Sequence, residues 1–189
     1  MSDIIANSIK ESVRAEEALL KEQVVNIEKA ARVIIKSFRT GGKVLIFGNG
    51  GSAADSQHMA AELVGRFMKD RRALPAVALN ANSSILTALG NDYGYEATFS
   101  RQVAALGRKG DVAVGISTSG NSPNILKAIE EAGSLEMETI GLTGRGGGRL
   151  AKICDIPISV NAKDTPRVQE SHILIIHILC DLVERELFR

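Results

Sequence analysis

Net charge is nearly absent: +1 over 189 residues, with 23 basic and 22 acidic side chains scattered along the chain. No basic stripe marks a nucleic-acid surface or an anionic membrane, so neither partner is expected. No apolar run is long enough to span a bilayer. The polar, charged stretch from Met1 to Arg14 is not a signal peptide. There are only two cysteines. Cys154 and Cys180 have neither metal-ligand spacing nor a disulfide framework, which points to free thiols in a reducing cytoplasm. Internal repeats and low-complexity tracts are also missing.

Glycine and proline are absent from residues 1–39. Apolar residues recur there at helical spacing, at Ile5, Ile9, Val13, Leu20, Val24, Ile27, Ala31, Ile34 and Phe38. The stretch reads as one long helix or two consecutive helices, closed by Thr40-Gly41-Gly42. So much helix ahead of the first strand is hard to pack on one small sheet. An exposed apolar stripe then implies subunit contacts, the competing reading being a helix flat on its own domain. The length suits one domain. Residues 1–39 read as a helical oligomerisation segment and residues 40–189 as an α/β core ending in a helix over 166–188.

The core alternates strands and helices. Strands are expected at 43–47, 75–79, 112–116, 138–142 and 156–160. Helices are expected at 53–68, 83–90, 96–106, 123–132 and 166–188, with a short helical turn at 149–153 and a loop at 91–94. That pattern predicts an α/β fold with a parallel five-stranded sheet covered on both faces.

The most informative stretch runs from Asp111 to Ala128. An apolar strand gives way to Ser117, Thr118, Ser119, Gly120, Asn121 and Ser122, and Pro123 then opens a helix. Ser122 is the expected N-cap and Pro123 the first helical residue. A helix N-terminus offers free N–H groups and partial positive charge, which suit a phosphate. A plain capped turn needs one hydroxyl, whereas four crowd this loop.

Gly48 to Ala53 also fits the dinucleotide fingerprint. A nicotinamide site further needs an acid at the end of the next strand. That strand ends in Leu79-Asn80-Ala81-Asn82, and the spacer before it is long. The turn can still seat a ligand on its backbone, with Asn49 and Ser52 bonding sugar hydroxyls. Ser52 and Asp55 occupy capping-box positions. His58 and Glu62, four apart, share a helix face and can hold a metal, act as acid and base, or form an ordinary surface pair. Of His172 and His177, one is expected to be a plain core or surface residue. Gln169 and His177 lie eight residues apart, about 12 Å of rise and roughly 80° of rotation on a straight helix. They can reach one site only if Gln169 sits at a frayed start or if two subunits contribute.

Four stretches together carry a family resemblance. They are Gly48 to Asp55 with His58 and Glu62; Gly90 to Gly94; Ser117 to Pro123; and Arg167 to Glu170 with His172 and His177. The chain resembles the phosphoheptose isomerases of the sugar-isomerase (SIS) fold over nearly its whole length. The resemblance implies flavodoxin-like layering, a long N-terminal helical extension, and a cytoplasmic homotetramer with shared active sites. It implies interconversion of sedoheptulose 7-phosphate and D-glycero-D-manno-heptose 7-phosphate, an early step toward lipopolysaccharide core heptose. It implies one zinc per subunit on His58, Glu62, Gln169 and His177, with Glu62 and His177 as acid–base pair. Ser117, Thr118, Ser119 and Ser122 would hold phosphate. Asn49, Gly50, Gly51, Ser52, Asn91, Asp92 and Gln169 would line the sugar, with Glu62 and Arg66 beside it. His172 receives no role. Two other classes share this scaffold: a tetrameric adaptor for the replication initiator, which lacks an acid at the position of Glu62, and a sugar-phosphate sensor, which needs no acid–base pair.

Overall fold

Short apolar runs with alternating sides build the sheet. Along β1 (Val44–Gly48), Val44 and Ile46 enter one core and Leu45 and Phe47 the other, because successive strand side chains point to opposite faces. A computed structural model describes residues 1–188. In it β2 (Ala76–Ala78), β3 (Val112–Ser117), β4 (Glu138–Thr143) and β5 (Ile156–Ser159) join β1 in a fully parallel sheet of order β2-β1-β3-β4-β5.

Two helices, α1 (Ser2–Glu22) and α2 (Val24–Arg39), precede the sheet. The crossovers are α3 (Gly51–Val64), α4 (Ser83–Tyr93) with α5 (Ser100–Leu106), α6 (Pro123–Ser134) and α7 (Leu150–Ile153), and α8 (Thr165–Leu187) closes the chain. On one face, buried side chains of α2, α3 and α8 cover Val44, Ile46, Val114, Ile140 and Ile158. On the other, Phe99, Val103, Ile125 and Ile129 cover Leu45, Phe47 and Ala113. β1 has β2 on one side and β3 on the other, so crossovers leave in opposite directions and a crevice opens beyond their carboxyl ends. Gly48 is in register with Ile116, which brings the turn after β1 and the loop after β3 side by side.

The two helices of the N-terminal segment differ in how much they bury within the domain. The chain breaks at Gln23. Beyond it, Ile27, Ala30, Ala31, Ile34, Ile35 and Phe38 of α2 are buried in the domain's own core. α1 buries only Ala15 and Leu19 and leaves Ile4, Ile5, Ile9, Val13 and Leu20 exposed. Two local expectations need correction. α4 runs on to Tyr93 and takes in Asn91 and Asp92, because only Gly94, at φ +82°, has the backbone that ends it. The expected helix over 96–106 is a 3-10 turn at Tyr95–Ala97 followed by α5, with the Thr98 hydroxyl bonded back to the Tyr95 carbonyl. No described helix is long and apolar enough to cross a membrane. Both cysteines are free, and burial pushes the thiols up to about 11 at Cys154 and about 12 at Cys180.

His172 is the core histidine of the pair. It is fully buried, and its Nε2 lies 3.1 Å from the Thr143 carbonyl, so Nε2 carries the proton. Nδ1 has no partner among the described residues. Burial pushes its pKa from 6.5 down to about 4, against a smaller upward pull from the Thr143 carbonyl. Below pH 6.5 the unfolded chain therefore takes up a proton that the folded chain refuses until about pH 4. Stability should fall across that window by about 3 kcal/mol. Melting curves between pH 7 and pH 4 should be flatter for His172→Gln than for wild type; equal slopes would remove His172 as the cause.

Candidate active site

The crevice is lined by two backbone features. After β1, the chain turns at Gly50 and enters α3 at Gly51. A Cβ at Gly51 would collide with the Gln169 amide, so glycine is what lets α8 approach the turn. Because α3 starts at Gly51, Ser52 sits inside its first turn and makes no cap hydrogen bond. The capping-box expectation for Ser52 and Asp55 fails for that reason. Asp55 is instead half-buried, its carboxyl raised by burial against the lowering pull of His58.

After β3, three hydroxyls converge. Ser117 Oγ lies 3.1 Å from Ser122 Oγ and 3.4 Å from Ser119 Oγ. Ser122 and Pro123 take the expected N-cap and first helical positions, yet the Ser122 hydroxyl does not cap α6. It turns to Ser117, leaving hydroxyl donors grouped at the N-terminus of a twelve-residue helix, an arrangement suited to an anion. Gly120, at φ +64°, has no room for a Cβ against the Gly147 carbonyl, so the glycine loop after β4 backs this turn.

One contact spans the two features. Asn49 and Asn124 exchange amide hydrogen bonds of 2.9 Å each, and the Tyr95 hydroxyl donates to Asn49 Oδ1 at 3.1 Å. Oδ1 thus accepts twice, and one Nδ2 hydrogen remains for a ligand. Asn124 and Tyr95 were not anticipated. An Asn at the second helical position reads as ordinary helix-start chemistry, and its partner is 75 residues away.

His58, Glu62 and His177 form one group whose ligand atoms all lie within 4.8 Å of one another. His58 Nε2 is 3.0 Å from Glu62 Oε1 and 3.4 Å from His177 Nε2. α3 presents the first two on one face, and α8 brings in the third. A tetrahedral zinc with bonds of about 2.0–2.1 Å has ligand–ligand edges of about 3.3 Å. Two imidazoles and a carboxylate at these separations fit a divalent metal.

The remaining expected residues fall on several elements. Gln169 lies within α8, which begins at Thr165, so the frayed-start explanation of its spacing does not hold. It rests on Gly51, two helical turns from His177. Asn91 and Asp92 are exposed at the end of α4 and bonded to each other at 2.8 Å. Arg66 is exposed just past α3. Thr118 is half-buried in the serine loop.

Comparison with known proteins identifies the family and the fold. A SIS domain model matches residues 7–144. The phosphoheptose isomerase of Clostridium acetobutylicum is 52% identical, the alignment spanning 100% of this chain and 97% of that protein. The solved phosphoheptose isomerase of Neisseria gonorrhoeae superposes with a TM-score of 0.92 at 46% identity, over 97% of this chain and 98% of that one. That of Francisella tularensis gives 0.94 at 40% identity, over 97% of each.

Proposed function

The chain belongs to the phosphoheptose isomerases of the SIS-domain family, and from that premise we propose that it interconverts sedoheptulose 7-phosphate and D-glycero-D-manno-heptose 7-phosphate. In cells the product would feed lipopolysaccharide core heptose, and the site of action would be the cytoplasm. The observation that carries the reading is the carboxylate–imidazole group on α3 and α8 of a fold whose crevice also gathers hydroxyl donors.

Aldose–ketose isomerisation moves a proton between C1 and C2 through an enediol. It needs one group to take the carbon proton and another to serve the oxygen. Glu62 and His177 supply the carboxylate and the imidazole. Ser117, Thr118, Ser119 and Ser122 hold the phosphate, so binding energy remote from the reacting carbons orients them. Asn49 donates to the sugar, and Gly50, Gly51, Ser52, Asn91, Asp92, Gln169 and Arg66 complete its surroundings.

His58, Glu62 and His177 would hold zinc. Gln169 and His177 of one straight helix diverge by about 12 Å of rise. An amide ligand would then be supplied by Gln169 of a second copy, in keeping with a homotetramer whose sites lie between subunits. Zinc supplies Lewis-acid stabilisation of negative charge on the substrate oxygen when bound. A carboxylate that held the metal would not at the same time be free as a base, so the ligand and base roles of Glu62 are separate proposals.

The direct test is isomerisation of sedoheptulose 7-phosphate by the purified protein with zinc added; no turnover would overturn the assignment. Two further outcomes are expected. Ser119→Ala and Ser122→Ala each remove one donor to a charged group, worth roughly 1.5–3 kcal/mol, or about 10–100-fold in KM. Inorganic phosphate should inhibit competitively, and a failure to compete would remove the loop as the phosphate site. His58→Ala should lower zinc content and melting temperature together, since metal and fold are linked by mass action. Metal analysis beside His172→Ala, which should keep its zinc, identifies the correct histidine.

A further inference from the structure

Glu62 and His177 stand on different helices, so their separation depends on how α3 and α8 are held in register. Residues 65–75 return the chain from α3 to β2 and carry Arg71. Its side chain is 2% exposed and faces the Glu184 carboxylate, 1% exposed, with Nε 2.9 Å from Oε1. The other Arg71 nitrogens donate to the carbonyls of Glu62 at 2.8 Å, Leu63 at 2.9 Å, Gly65 at 3.2 Å and Arg72 at 3.1 Å. The Glu62 and Leu63 carbonyls belong to the last turn of α3, where no further helical N–H follows, and the Leu63 carbonyl also accepts the Leu74 N–H at 3.1 Å. A cation there also complements the helix dipole.

Glu184 completes the connection. Its carboxylate accepts the backbone N–H groups of Phe67 at 2.9 Å, Met68 at 2.7 Å and Lys69 at 3.0 Å. Burial alone would raise this carboxyl, but these donors and Arg71 outweigh it and hold it below its ordinary value. Glu184 follows His177 by seven residues on α8. Seven residues are two turns, about 10.5 Å along the axis and within about 20° of the same face. One buried ion pair therefore joins the end of α3, including the backbone of Glu62 itself, to the α8 face that bears His177. Apolar packing could hold two helices together, and it often replaces buried ion pairs without loss. Directional hydrogen bonds additionally fix axial register, which is what a two-helix site requires.

We propose that Arg71 and Glu184 are positioning residues that set the register of Glu62 against His177 and His58. The proposal rests on the acid–base assignment above. Its test uses full-length Glu184→Gln and Arg71→Lys. The amide keeps the shape of Glu184 without its charge. Lysine keeps a cation but cannot reach the carboxylate and four carbonyls at once. Arg71→Lys carries the test alone if Glu184→Gln yields no folded protein. Each variant is checked for native circular dichroism and wild-type size, then assayed well below its melting temperature. We expect kcat down by about 10–100-fold with KM nearly unchanged, and zinc held about 10–100-fold more weakly in competition with a chelator. The phosphate inhibition constant should not move, since the serine loop is untouched. Folded variants with a lower melting temperature but wild-type kcat and zinc affinity would overturn the proposal and leave a structural staple. A wild type inactive on the heptose phosphate would instead sink the isomerase assignment, and the zinc competition would still decide the register.

Discussion

Glu62→Gln should lower kcat by about 10²–10⁴, the usual loss for a positioned acid–base group. The substitution preserves side-chain shape, and Glu62 is partly exposed on α3, so the helix and the core beneath it should be unaffected. What disappears is the carboxylate 3.0 Å from His58 Nε2, with both its basicity and its charge toward a metal. The two losses are separable. Turnover is measured at rising zinc until occupancy matches wild type. If activity then returns, Glu62 is a ligand only and His177 must find another partner. If it stays low at full occupancy, Glu62 moves the proton. A variant with near-normal kcat and no added metal would reject both roles.

Removing residues 1–39 should leave no folded protein. α2 contributes Ile27, Ile34, Ile35 and Phe38 to the core against α8 and β5. Each large buried apolar side chain stabilises by roughly 1.5–3 kcal/mol, and a domain's whole stability is about 5–15 kcal/mol. Removing residues 1–22 is a different experiment. α1 buries two apolar residues, and Arg167 donates to the Ser8 carbonyl at 3.0 Å. This shorter chain should fold, with native circular dichroism, but sediment as a smaller species with little activity, because the exposed α1 stripe is the proposed subunit contact. An active monomer would reject that contact and any site shared between copies. A folded chain from the longer cut would reject α2 as part of the core.

Local spacing made much of this legible. The continuous apolar run of Val44–Gly48 and the alternation of such runs with helical stretches pointed to a parallel five-stranded α/β fold, since strand and helix periods are set by neighbours in the chain. Ser117 to Pro123 announced a strand, a hydroxyl-rich turn and a helix start. His58 and Glu62, four apart, had to share a face. Those readings need only backbone geometry over a few residues.

Tertiary structure decided the rest. His172 and His177 are five residues apart on one helix, about 140° around its axis, so one enters the core and the other meets α3. Sequence neighbours would suggest the reverse, since His177 lies between Ile176 and Ile178 whereas His172 follows Ser171, and only the packing of α8 says which is which. Likewise α1 and α2 carry the same helical pattern, but only α2 meets the sheet side of the core. Asn49 with Asn124, and Arg71 with Glu184, are pairs separated by 75 and 113 residues. Nothing local marks them, because each meets its partner through strand order and helix docking, and those follow from burying the whole core at once rather than from any single stretch of chain.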